Sequence, residues 1–257
     1  MNGKFENYIG VFDSGVGGIS VLQELTKLLP HEKFVFFGDS ANAPYGEREV
    51  EEVQRLTINA VQPLVDAGVK ALVIACNTAT SSAINLLREM YQDIPVIGVE
   101  PALKPAVDAG YQKILVMATP VTLTLEKFHE LEERVGTDVE VIALPCPGLA
   151  GRIEKADLEA EDLQEMLSRL LYRHVGKIDS VVLGCTHYPF IRKQIKNILG
   201  NVPFYDGGAG TARELKRRLA EKGWLAEEKG PGEIVFMSSK ETEEEAELYK
   251  WFYKQKV

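Results

Sequence analysis

The sequence predicts an α/β protein: two similar, doubly wound parallel-sheet domains made by duplication of one unit, with the site in the cleft between them. Three observations predict it. Short β-branched or aromatic runs alternate with longer amphipathic segments, the pattern of parallel strands joined by helical crossovers. The same order of runs appears twice, residues 34, 76 and 94 of the first passage corresponding to 139, 185 and 202 of the second, so a unit of about a hundred residues has been repeated. A cysteine closes the third apolar run of each copy: Cys76 in "ALVIACNTATS" (71–81) and Cys185 in "VVLGCTHYPF" (181–190), each followed at once by two polar residues. Any α/β chain looks periodic at this scale; the matched cysteines are what argue for duplication.

In chain order, "YIGVFDS" (8–14) reads as a strand and "GISVLQELTKLLP" (18–30) as the helix returning over it. "FVFFGDS" (34–40) is the second strand, and 48–68 a long amphipathic helix. "ALVIAC" (71–76) is a strand, 78–91 a helix and "IPVIGVE" (94–100) a strand. The second unit offers strands at 113–120, 139–145, 180–185 and 202–207. Prolines in "GVEPALKPA" (98–106) mark the end of the first unit, and the glycines of "YDGGAGT" (205–211) the end of the second. What remains is a helix at 211–222, a strand-like "EIVFMSS" (233–239) and "KETEEEAELYKWFYK" (240–254), acidic early and basic late as a helix dipole favours. No third repeat follows, so this tail is expected to complete the first domain. That divides the chain into 1–100 plus 208–257, and 101–207.

At 45% hydrophobic and 26% charged, the 257 residues have a soluble composition. No window approaches a membrane span, and the N-terminal stretch lacks the features of a signal peptide, so a cytoplasmic location is expected. Three cysteines without a CxxC pair point to reduced thiols, not a disulfide framework. A net charge of −9 without a basic stripe argues against a nucleic-acid partner; "RELKRRLAEK" (213–222) reads as a solvated helix face.

Open parallel sheets bind ligands beyond the carboxyl ends of their strands. There the first unit presents Asp13, Ser14, Asp39, "APYGE" (43–47), Cys76, Asn77 and Thr78; the second presents Thr119, "LPCPG" (144–148), Cys185, Thr186 and His187. If the halves face each other, one cleft receives a thiol from each side. Each cysteine is expected to precede a helix, whose N-terminus lowers a thiol pKa and attracts carboxylates; two such ends suit an acidic amino acid. Opposed single thiols suit racemisation: one removes the α-proton, the other delivers a proton to the opposite face, and reversal swaps their roles. A hydrolase needs one nucleophile. Cys146, between two prolines and without a counterpart in the first unit, reads as packing. A zinc site lacks close ligand pairs. The strongest rival is a dinucleotide enzyme, since "DSGVGGIS" (13–20) contains G-x-G and Asp39 ends the second strand. A non-catalytic amino-acid binding protein is a further alternative.

The stretches "GVFDSGVGGISVL" (10–22), "GDSANAPYG" (38–46), "ACNTATS" (75–81), "GVEPALKPA" (98–106), "GCTHYPF" (184–190) and "YDGGAGTA" (205–212) jointly resemble the cofactor-independent aspartate/glutamate racemase family. The resemblance implies interconversion of L- and D-glutamate for peptidoglycan, or of another acidic amino acid such as aspartate, without pyridoxal phosphate or metal, in a homodimer. It makes Cys76 and Cys185 the acid/base pair, Asp13 the assistant of Cys76 and His187 that of Cys185, with Glu154 a further carboxylate on the Cys185 side. Ser14, Tyr45, Gly46, Asn77, Thr78 and Thr186 match substrate-holding positions, with Asp13 and His187 beside them; Thr119 and Thr122 are further candidates.

Overall fold

The computed structural model describes residues 3–135, 139–227 and 230–257. In the first half, β1 (Tyr8–Asp13), α1 (Ile19–Leu28), β2 (Lys33–Gly38), α2 (Val50–Asp66), β3 (Ala71–Ile74), α3 (Asn77–Met90) and β4 (Val96–Gly98) alternate. The second contains α4 (Leu103–Asp108), β5 (Lys113–Ala118), α5 (Pro120–Thr124), α6 (Glu126–Val135), β6 (Glu140–Pro145), α7 (Leu149–Ile153), α8 (Glu161–Leu171), β7 (Ser180–Leu183), α9 (Arg192–Leu199) and β8 (Phe204–Asp206). The tail forms α10 (Gly208–Lys222), β9 (Ile234–Ser238) and α11 (Glu243–Lys254).

The strands make two parallel sheets, ordered β4-β3-β1-β2-β9 and β6-β5-β7-β8. With β5 to β8 set against β1 to β4, the order is the same in both, and β9 is added parallel to β2. The duplication expected from the cysteine spacing is thus present in the topology. In each sheet the chain reverses its direction of growth between the first and third strands of the unit, the switch point where such sheets open a crevice. Asp13 ends β1 and Cys76 lies two residues beyond β3; Thr119 follows β5 and Cys185 lies two residues beyond β7.

Strand residues alternate between two cores, as the pleat demands. Ile9, Val11, Phe34 and Phe36 face one; Phe12, Val35, Leu72 and Ile74 face the other, under α2 and α3. The first of these cores also holds Leu115, Met117, Val181 and Leu183 of the second sheet, so apolar packing is continuous between the halves. The tail closes it: Leu215 and Leu219 of α10 belong to this core, and Tyr249 of α11 meets Phe36 edge-on at 5.3 Å. Thr242 caps α11, accepting from the Glu245 N–H at 3.2 Å, with Glu243 to Glu245 in its first turn.

One expectation fails. Cys76 caps α3, but no α-helix follows Cys185 directly: the chain turns, makes a 3-10 segment (Tyr188–Ile191) and enters α9 only at Arg192. Pro189 explains this: it has no N–H with which to make the first i→i−4 bond to the Cys185 carbonyl, which instead accepts the Tyr188 N–H at 3.1 Å. Only one of the two thiols sits at an α-helix N-terminus.

Candidate active site

The carboxyl ends of both sheets enclose one cavity. Cys76 and Cys185 both line it, with Ser14, Tyr45, Gly46, Asn77, Thr78, Thr119, Thr186, His187 and Glu154. Of the residues singled out in the sequence, Asp13 and Thr122 stand one layer behind this wall, each bonded to residues that form it. All three cysteines are free.

On the first side, the Cys76 sulfur accepts from the Ala79 N–H at 3.4 Å and lies 3.5 Å from Ser14 Oγ. The helix N-terminus does not lower this thiol as expected. Burial pushes its pKa up to about 12, the Asp13 charge adds to the rise, and the bonds from Ala79 and Ser14 only soften it. Desolvation of a thiolate outweighs the partial charge of one helix end.

On the second side, Cys185 Sγ lies 3.6 Å from His187 Nδ1, and His187 Nε2 lies 2.6 Å from Glu154 Oε1. Burial alone lowers the imidazole pKa, but the bonds to Cys185 and Glu154 outweigh it and hold His187 well above its ordinary value. As the imidazolium, both ring nitrogens donate. The same Glu154 oxygen accepts the Val16 N–H at 3.0 Å.

Asp13 joins the two sides. It is fully buried and accepts from the Gly15 N–H and from Thr186 Oγ1, both at 3.0 Å. Burial raises its pKa from 3.8 to about 6, despite the opposing charge of His187 and these two bonds. Ser20 Oγ donates to the Thr186 carbonyl at 2.8 Å. On the opposite wall Thr78 Oγ1 meets Thr119 Oγ1 at 3.0 Å and Thr122 Oγ1 at 3.2 Å, a knot of hydroxyls tying α3 to α5.

The glycine loop has a different purpose from phosphate binding. A Cβ on Gly15 would stand 1.9 Å from Glu154 Oε1, and one on Gly17 would stand 2.3 Å from His187 Nδ1 and 2.4 Å from Thr186 Oγ1. These positions are bare so that side chains of the other half can reach the backbone. Asp39 is engaged inside its own loop, accepting from Tyr45 Oη at 2.6 Å and Asn42 Nδ2 at 2.9 Å. That bond buries Tyr45 beside Phe12 and presents Gly46 to the cavity, where a Cβ would strike the Thr119 side chain at 2.6 Å. The dinucleotide reading loses both of its supports.

Among the lining residues without a role assigned from sequence, two carry reactive or ionisable side chains. Cys146, read as packing, is buried and also reaches the cavity; its place just after β6 was the available signal. Glu47 was visible only as the last residue of "APYGE" and also lines the cavity. Among the described residues, the Asn77 amide oxygen is buried without a hydrogen-bond partner, and none of those lining the cavity is a lysine or an arginine. Among the described residues no group of three or more His, Cys, Asp or Glu side chains is arranged to hold a metal ion, and no helix is long and apolar enough to cross a membrane.

The family model described as Asp/Glu/Hydantoin racemase matches residues 9–215. The glutamate racemase of Clostridium acetobutylicum is 52% identical over 236 residues, covering 91% of this chain and 92% of its own. Among solved structures, glutamate racemase from Francisella tularensis in complex with D-glutamate superposes with a TM-score of 0.84 at 28% identity, covering 98% of this chain and 95% of its own. Escherichia coli glutamate racemase in complex with L-glutamate and the activator UDP-MurNAc-Ala gives 0.82 at 30% identity, covering 95% and 92%.

Proposed function

Because the chain belongs to the Asp/Glu/hydantoin racemase family, we propose that it interconverts L- and D-glutamate by proton transfer between two cysteines across the α-carbon. One observation carries the mechanism: Cys76 and Cys185, brought from two separate sheets, line a single cavity. One sulfur, as thiolate, takes the α-proton; an S–H bond forms, and the C–H electron pair stays on the α-carbon, delocalised into its carboxylate. The opposite thiol then gives its proton to the other face, a C–H bond forms and that sulfur becomes the thiolate. The enzyme ends with the two protonation states exchanged, ready for the reverse reaction.

Asp13 acts on the Cys76 side and His187, held by Glu154, on the Cys185 side. Ser14, Tyr45, Gly46, Asn77, Thr78, Thr119 and Thr186 hold the substrate, with Thr122 bracing Thr119. The N-terminal turn of α3, capped by Cys76 through the Ala79 N–H, suits a carboxylate, and the Asn77 oxygen, without a hydrogen-bond partner among the described residues, suits an ammonium group. Residues 1–100 with 208–257 act as one lobe and 101–207 as the other. The reaction uses no cofactor and serves peptidoglycan synthesis in the cytoplasm, the protein working as a homodimer. Relatives named as glutamate racemases, and the two glutamate-bound neighbours, favour glutamate over aspartate as substrate.

Polarimetric or circular-dichroism assay on both enantiomers of glutamate and aspartate, without added cofactor, tests the reading. The expected result is loss of optical activity for glutamate, with deuterium entering the α-carbon in heavy water. Cys76→Ser and Cys185→Ser should each abolish it; either variant racemising at the parental rate refutes the two-thiol mechanism.

A further inference from the structure

Glu47 has no part in that mechanism, yet it spans the two halves. Its carboxylate accepts the Gly148 N–H at 2.7 Å. Gly148 is the N-cap of α7, in the left-handed region at φ 72°, and has no side chain with which to cap the helix itself. The neighbouring Gly46 carbonyl accepts the Val121 N–H at 3.4 Å, so the same turn also rests on α5.

The helix so held is five residues long; Gly148 enters it at φ 72°, Glu154 caps its end, and the chain turns away at Ala156, left-handed at φ 60°. A helix this short has no stability of its own; anchors outside it fix where it sits. Leu149 and Ile153 anchor its buried side. Its C-cap is Glu154, whose carboxylate takes the Val16 N–H and His187. The first half therefore grips α7 at both ends, through Glu47 at the start and Val16 at the finish.

We infer that Glu47 is a positioning residue: by fixing the first turn of α7 it sets the Glu154 carboxylate against His187, and so tunes proton transfer at Cys185 and not at Cys76. The inference rests on the two-thiol reading. It names no new contact with substrate; Glu47 acts through Gly148, α7 and Glu154.

The test compares Glu47→Ala with Glu47→Gln. Glu47→Ala is expected to lower kcat roughly tenfold, the scale of a modest misplacement of a reacting group. It should also raise the α-deuterium isotope effect on kcat/KM for one enantiomer, the one deprotonated by Cys185, and lower it for the other. Amide exchange across 148–154 should quicken. Glu47→Gln, which keeps an acceptor for Gly148, should stay within about twofold of the parent. Unchanged isotope effects in Glu47→Ala, effects moving the same way for both enantiomers, or a glutamine variant as impaired as the alanine one would each overturn the assignment. If the unsubstituted chain exchanges no α-proton, the racemase reading itself has failed, a result read before either variant.

Discussion

Replacing Asp13 with asparagine should make the protein more stable and less active, and the stability gain should depend on pH. Asp13 is fully buried, with its pKa raised from 3.8 to about 6. Burial is the main cause, and the Gly15 and Thr186 bonds do not cancel it. At about 1.4 kcal/mol per pKa unit, keeping this carboxylate charged in the folded protein costs on the order of 3 kcal/mol. Below pH 3.8 the carboxyl is protonated whether the chain is folded or not, and the cost vanishes. As pH rises through about 6, the folded protein must ionise a group that water would have solvated, and that stability is lost. Asparagine keeps an oxygen for Gly15 and turns an N–H toward the Thr186 hydroxyl, which can accept. Thermal unfolding followed from pH 4 to 8 should therefore show Asp13→Asn near the parent at pH 4 and roughly 6 to 10 °C more stable at pH 8. Racemisation should fall by roughly two to four orders of magnitude. A variant that is less stable at pH 8, or whose stability difference ignores pH, would refute the claim that the fold holds a charged Asp13 at a cost.

Two further outcomes follow from the same site. Glu154→Gln removes the charge of one of the two groups that raise His187, so the imidazole should titrate at lower pH when followed by NMR of labelled histidine. Gly17→Ala places a methyl 2.3 Å from His187 Nδ1 and 2.4 Å from Thr186 Oγ1; it should cost roughly 1 to 3 kcal/mol in chemical denaturation and lower racemisation with it.

Much of this was legible in the sequence because buried parallel strands are written as uninterrupted apolar runs. The runs ending in Cys76 and Cys185 overshoot their strands by two residues, since the two residues after each strand are still buried and apolar or small. Asn77, Thr78, Thr186 and His187 were found because polarity changes abruptly there. Three features were hidden. The structure after Cys185 depended on Pro189, a local signal overshadowed by the likeness to the first half. The glycines of 15–18 looked like a phosphate loop because sequence records a missing side chain without recording what fills the space; here it is Glu154 and His187. Glu47 and Cys146 were visible as loop residues, but only the approach of the two halves gives them a common cavity.

The duplication has left two thiols in equivalent places with unequal company. Cys76 has a helix end, a serine and a buried carboxylate; Cys185 has an imidazolium braced by Glu154. That inequality cannot bias the product. Enantiomers have equal free energy in achiral water, so kcat/KM must be the same in both directions, and the asymmetry can appear only as proportional differences in kcat and KM. It does decide where the work lies. Cys76 is pushed up to about 12, chiefly by burial, so its ionised form is disfavoured at neutral pH. Burial and the neighbouring Asp13 charge thus both act against a thiolate at Cys76, while the bonds from Ala79 and Ser14 act for it. The same burial makes the sulfur, once ionised, a stronger base toward a carbon acid than a solvated thiolate would be. Burial of the sulfur thus trades the abundance of the base for its strength, and the buried Asp13 charge raises the strength further.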